Sequence, residues 1–195
     1  MFVLAYDVHA IIYGALGCLA IPLVVEITDV LACGSVWLKV PGEPREHYLP
    51  QAEWTPDGGA VLLRQFNRLQ NTLRVMLADP VTGETKPVLT ETDAAWVENK
   101  NAIRWIGSDF LWLSERSGWR HAYRANLEGD VKPITRGEFD VIEVTHLDAG
   151  GGWLYYLASP ANATQRFLHR SSLQGGGPER LSPAEQPGTH SYEIS

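Results

Sequence analysis

The sequence is poor in the residues on which several function classes depend. Its 195 residues hold two cysteines, Cys18 and Cys33, neither of them in a Cys-x-x-Cys pair. That excludes a disulfide framework and any thiol-based metal or redox motif. Positive charge is also scarce, with 16 Lys+Arg against 23 Asp+Glu, a net charge of −7 and no basic cluster. The electrostatic footprint required by a phosphate backbone is missing, so no nucleic-acid partner is expected. His47, His146, His169 and His190 are scattered without metal-ligand spacing, and neither a metal nor another cofactor is expected. The longest apolar run, from Ala10 to Val25, is interrupted by Gly14, Gly17 and Pro22 and has no basic region before it. It is short of the about 20 residues that cross a bilayer, and it lacks the charged start of a secretory signal. Residues 1–22 stand as an atypical apolar N-terminal segment, and no membrane span is established.

Hydrophobic residues make up 45% of the chain, ample for a sizeable core. What organises them is a repeat. The stretches "AEWTPDGGAVLLRQF…TLRVMLADPVTGETKPVLT" (52–90), "IRWIGSDFLWLSERSGWRHAYRANLEGDVKPIT" (103–135) and "VTHLDAGGGWLYYLASPANATQRFLHRSSLQGGGPERLS" (144–182) share one plan. Each has a short strand, a Gly/Asp turn, an apolar strand, a variable hairpin, a third strand, a second glycine turn and a short closing strand. A period of this length indicates a propeller or an array. The middle strands, Ala60–Leu63, Phe110–Leu113 and Trp153–Ala158, are continuous apolar runs, as expected of strands covered on both faces. No segment shows a capped helical period. The expected fold is therefore all-β, a partial β-propeller of about three complete four-stranded blades and two partial ones. The repeats fall near 23–47, 48–92, 93–138 and 139–183, with a further start at 184–195.

The stretch "WLSERSGWRHAY" (112–123) carries a serine, a glutamate and a histidine within a few positions. With Ser117-Gly118 as a two-residue turn, the cross-strand pairs are Arg116 with Trp119, Glu115 with Arg120, Ser114 with His121, Leu113 with Ala122 and Trp112 with Tyr123. One face then holds Trp112, Ser114, Arg116, Trp119, His121 and Tyr123. On that face Arg116 is expected over Trp119 and Ser114 within reach of His121. The stretch still lacks a strained nucleophile turn and a group orienting the histidine, so it reads as blade architecture. "LQGGGPE" (173–179) is a hairpin turn rather than a phosphate loop. "NAT" (162–164) matches a glycosylation sequon, which matters only in a eukaryotic secreted protein.

The phrases "HYLPQAEWTPDG", "FNRLQNTLRVMLADPVTGE", "LWLSERSGWRHAYRANLEG", "GGWLYYLAS" and "PERLSPAEQPGTHSYEIS", in this order and spacing, resemble the N-terminal β-propeller of the dipeptidyl peptidase IV family, serine peptidases of the prolyl oligopeptidase superfamily. The resemblance runs from about Leu23 to Ser195. In the family motif of the third repeat the matching residues are Trp112, Ser114, Glu115, Arg116, Gly118, Trp119, Arg120, His121 and Tyr123. The resemblance implies an eight-bladed propeller covalently joined to an α/β-hydrolase domain. It also implies release of N-terminal dipeptides from peptide substrates, and selection of peptides by the tunnel the propeller forms. Family members often form homodimers and often act outside the cytoplasm, in the periplasm or beyond the cell. No G-x-S-x-G nucleophile elbow occurs in the 195 residues, and the family's amine-binding glutamate pair belongs upstream of Leu23. No catalytic residue is therefore assigned, and the hydrolase domain is expected after Ser195. By the same resemblance, "WVENKN" places Trp96, Glu98, Asn99, Lys100 and Asn101 on a loop that faces bound peptide. The reading from a different class is a stand-alone binding propeller without catalysis.

Overall fold

The computed structural model describes residues 2–7, 24–29, 34–98, 102–160, 162–183, 185, 186, 188, 189 and 192. Among them helix is confined to one 3-10 turn, Pro44–Glu46. The strands form four antiparallel sheets, and within each every strand pairs with its neighbour in sequence. The first contains β1 (Phe2–Asp7), β2 (Val24–Asp29) and β3 (Gly34–Trp37). The second contains β4 (His47–Trp54), β5 (Val61–Asn67), β6 (Thr72–Ala78) and β7 (Thr85–Thr92). The third contains β8 (Arg104–Ile106), β9 (Asp109–Ser114), β10 (His121–Ala125) and β11 (Val131–Pro133). The fourth contains β12 (Val141–Asp148), β13 (Trp153–Ala158), β14 (Phe167–Ser172) and β15 (Glu179–Arg180).

The chain divides into two compact units, residues 1–97 and 98–195, each holding two sheets. In the first unit Val25, Ile27 and Leu38 pack against Leu49, Val61, Leu63, Met76 and Ala78 of the second sheet. The opposite face of that sheet is also withdrawn from water, since Leu62, Leu73 and Val75 are fully buried. This is why β5 reads as an unbroken apolar run rather than an alternation. In the second unit Leu111, Leu113 and Ala122 of the third sheet meet Val141, Val144, Leu154, Tyr156 and Ala158 of the fourth. Each buried Val, Leu, Ile or Met among them contributes about 1.5–3 kcal/mol.

Arg64 sits on the Leu62 face of β5 and is buried. Burial pushes its guanidinium down to about 10, and the charge of Glu53 acts in the opposite direction.

The turns follow from local chemistry. In Thr55–Ala60 the Thr55 hydroxyl donates to Asp57 Oδ1 at 2.6 Å, and Asp57 Oδ1 accepts the Gly59 amide at 3.0 Å. The Ala60 amide closes the turn on Thr55 Oγ1 at 3.0 Å. This is the physical content of the "TPDG" phrase: a side-chain-sealed turn with Gly58 at φ +69°. Gly83 is required for a different reason. Its φ is +74°, and a β-carbon there would lie 2.4 Å from the Trp37 carbonyl oxygen, where β3 meets the β6–β7 turn.

Candidate functional site

The hairpin of β9 and β10 carries the serine and the histidine of the "WLSERSGWRHAY" stretch. Three of its expected pairs are present, Ser114 with His121, Leu113 with Ala122 and Trp112 with Tyr123. The turn differs from the expected two residues, because the strands stop at Ser114 and resume at His121. The Gly118 amide bonds back to the Glu115 carbonyl at 2.8 Å, with Gly118 at φ +90°, so Glu115–Gly118 closes its own turn inside a six-residue loop. Glu115, Arg116, Trp119 and Arg120 thereby leave the ladder. Arg116 lies over the Tyr123 ring at 5.3 Å instead of over Trp119, whose indole is exposed. The Arg120 amide donates to Asp140 Oδ1 at 2.7 Å.

Ser114 and His121 do not bond to one another. Ser114 Oγ accepts from the amide and the Nε of Arg116, at 3.1 and 3.2 Å. His121 is buried with Nδ1 on Thr135 Oγ1 at 3.1 Å and Nε2 on the Gly137 carbonyl at 2.9 Å. The Gly137 carbonyl can only accept, so Nε2–H donates to it, and Nδ1 shares its hydrogen bond with the Thr135 hydroxyl. The motif is a clasp joining β10 to the segment that follows β11.

The loop after β7 is built differently. Asp93 Oδ1 accepts the amides of Ala95 and Trp96, at 2.7 and 3.0 Å. Those two donors hold the Asp93 carboxyl below the usual carboxylate range. The Asp93 amide donates to the Asn71 carbonyl and the Val97 amide to the Gln70 carbonyl, both at 3.0 Å. Trp96 is held between these anchors and is 49% exposed, and Glu98 is exposed. Asn99, Lys100 and Asn101 lie outside the described residues. Sequence reasoning missed Asp93, Gln70 and Asn71. The signal available was an Asp two and three residues before the amides that it caps.

The other candidates are structural. His47 is buried at the start of β4, and His146 packs against the Tyr155 ring at 5.9 Å. His190, Cys18 and Cys33 lie outside the described residues. Among the described residues no group of three or more His, Cys, Asp and Glu could hold a metal. Among the described residues no helix is long and apolar enough to cross a membrane. The "LQGGGPE" stretch links antiparallel strands β14 and β15, with the Gly175 amide on the Ser172 carbonyl at 2.9 Å. Asn162, in the sequon, is exposed, and its Oδ1 accepts both the amide and the hydroxyl of Thr164, at 2.9 and 2.8 Å.

His169 is buried, stacked on Tyr156 with ring centroids 5.8 Å apart, and its Nδ1 faces the Phe167 carbonyl at 2.9 Å. Desolvation lowers its pKa below 6.5; the Phe167 carbonyl opposes that shift and the charge of Arg180 reinforces it. The folded state then binds fewer protons than the unfolded one. Stability is expected to fall as the pH drops below about 6.5 toward the lower folded value. Urea unfolding of the chain and of His169→Phe between pH 7.5 and 5 checks this. The substitution should flatten that part of the profile, and an unchanged slope would assign it to other groups.

Successive four-stranded antiparallel meanders, with apolar middle strands buried on both faces, define a β-propeller. The model of the dipeptidyl peptidase IV (DPP IV) N-terminal region matches residues 16–195, and the chain belongs to that family. It is 29% identical over 147 residues to a protein named probable dipeptidyl peptidase 4 of Emericella nidulans, covering 68% of this chain and 19% of that protein. To a probable dipeptidyl-aminopeptidase B of the same organism it is 32% identical over 154 residues, covering 70% of this chain and 17% of the relative. The crystal structure of Porphyromonas gingivalis dipeptidyl peptidase 4 superposes with a TM-score of 0.75 at 21% identity, over 85% of this chain and 24% of that one. The chain thus spans under a fifth of the length of these two curated relatives and about a quarter of the solved structure.

Proposed function

We propose that residues 23–195 are the substrate-gating propeller portion of a serine exopeptidase that releases N-terminal dipeptides. In this reading the repeats 23–47, 48–92, 93–138, 139–183 and the start at 184–195 are successive blades, with β1 (Phe2–Asp7) paired to β2 as a further strand of the first. The catalytic serine, acid and histidine belong to a covalently linked α/β-hydrolase domain encoded after Ser195. The propeller selects by geometry: a narrow tunnel excludes folded proteins, and the loop 96–101 faces the bound peptide. A homodimer and a periplasmic or extracellular setting accompany the reading.

The observation that carries it is the family match over residues 16–195. The exposed Trp96 held at its loop supports the peptide-facing role, since an anchored aromatic supplies contact area at a low ordering cost. The test is the whole gene product assayed with peptides carrying Pro at the second position. Release of N-terminal dipeptides, abolished by Ala at the serine of a downstream G-x-S-x-G, is the expected result. A product with neither that segment nor turnover would leave a binding propeller.

A further inference from the structure

The β5–β6 turn is built more elaborately than a hairpin connection requires. Asn67 Oδ1 accepts the amides of Asn71 and Thr72, at 3.1 and 3.0 Å, and Asn67 Nδ2 donates to Asn71 Oδ1 at 2.7 Å. Gln70 is the sole non-glycine residue at positive φ among the described residues, at +56°. A residue with a β-carbon is disfavoured there, and such a conformation persists only when its surroundings hold it. It is this turn whose Gln70 and Asn71 carbonyls receive the amides of Val97 and Asp93. The turn itself exposes Leu69, and the loop it holds exposes Trp96.

We infer that Asn67 is a positioning residue that, through the Gln70–Asn71 carbonyls, sets the Asp93–Val97 loop so that Trp96 is held ready for an apolar side chain of a peptide ligand. The inference rests on the peptide-facing reading of the 96–101 loop. Its physical basis is sequential. Asn67 takes up the two amides that would otherwise pull the turn open, and the closed turn keeps Gln70 left-handed. Its carbonyl then points at Val97, while Asp93 caps Ala95 and Trp96 from the other side. The indole is ordered before the ligand arrives, so binding does not have to order it.

Hydrogen exchange of the 195-residue chain at low micromolar concentration, read by mass spectrometry, tests this. In Asn67→Ala the amides of 93–97 should exchange about tenfold faster or more, while the β5–β7 ladder keeps its protection. Asn67→Asp, which retains the Oδ1 acceptor, should stay within about twofold of the original chain. Unchanged exchange at 93–97, equal acceleration throughout β5–β7, or no rescue by Asp would each overturn the positioning role. In a second arm, the peptide Ala-Pro-Ala-Phe-Ala at millimolar concentration should slow exchange at 93–97 in the original chain and do so less in Asn67→Ala. If the peptide changes nothing while Asn67→Ala still accelerates exchange, the peptide-facing reading fails and the ligand role falls with it, although the scaffold contacts stand.

Discussion

Replacement of His121 by Ala is expected to lower the unfolding free energy of the chain by about 3–5 kcal/mol, the range for truncating a buried ring and orphaning its partners. The side chain is 3% exposed and meets Phe139 edge-on at 5.2 Å. Its loss leaves a cavity against Phe139 and removes partners from both the Thr135 hydroxyl and the Gly137 carbonyl. Thr135 cannot turn away freely, because its Oγ1 also accepts the Ala122 amide at 2.9 Å. Gly137 cannot be rebuilt around a larger residue, since a β-carbon there would lie 2.5 Å from the Phe139 ring. Single domains have only about 5–15 kcal/mol of stability in total, so such a loss removes a large fraction of it. Urea denaturation of the two chains measures the difference. A loss under about 1 kcal/mol would show that the clasp contributes little and that the pocket refills.

The second large effect concerns chemistry. The 195-residue chain should hydrolyse an aminoacyl-prolyl chromogenic substrate no faster than buffer, whereas the whole gene product, if it is the exopeptidase proposed above, should exceed that rate by about 10⁶-fold or more. The sequence supplies one Ser/His pair at cross-strand positions, and its geometry cannot support acyl transfer. Ser114 Oγ is occupied by Arg116, and both His121 nitrogens are engaged by Thr135 and Gly137, leaving no base for the hydroxyl. Appreciable turnover by the chain alone, surviving purification and lost in Ser114→Ala, would contradict this account. In the whole product, Ser114→Ala should leave kcat within about twofold, the change expected of a group that makes no transition-state contact.

Much of the architecture was legible in the sequence because it depends on short-range rules. Continuous apolar runs marked strands hidden on both faces, and they recur as β5, β9 and β13. Centring the turn on Ser117-Gly118 placed Ser114 opposite His121 and Trp112 opposite Tyr123, and the side-chain period of two put all four on one face. "TPDG" was readable as a turn because its partners, Thr55, Asp57, Gly59 and Ala60, lie within a few residues of one another.

The tertiary structure decided where strands stop and what their polar ends meet. Glu115–Gly118 closed a turn of its own, which took Arg116 from Trp119 to Tyr123. His121 found its partners 14 and 16 residues downstream. Gln70 and Asn71 received the amides of Val97 and Asp93 from the far end of the next hairpin. A hydrophobic pattern of period two specifies which face a residue takes while its strand lasts. It carries no information about which loop returns to satisfy a given carbonyl, and that pairing, here the one that holds Trp96, is settled only when the sheets have formed and every buried polar group must find a partner.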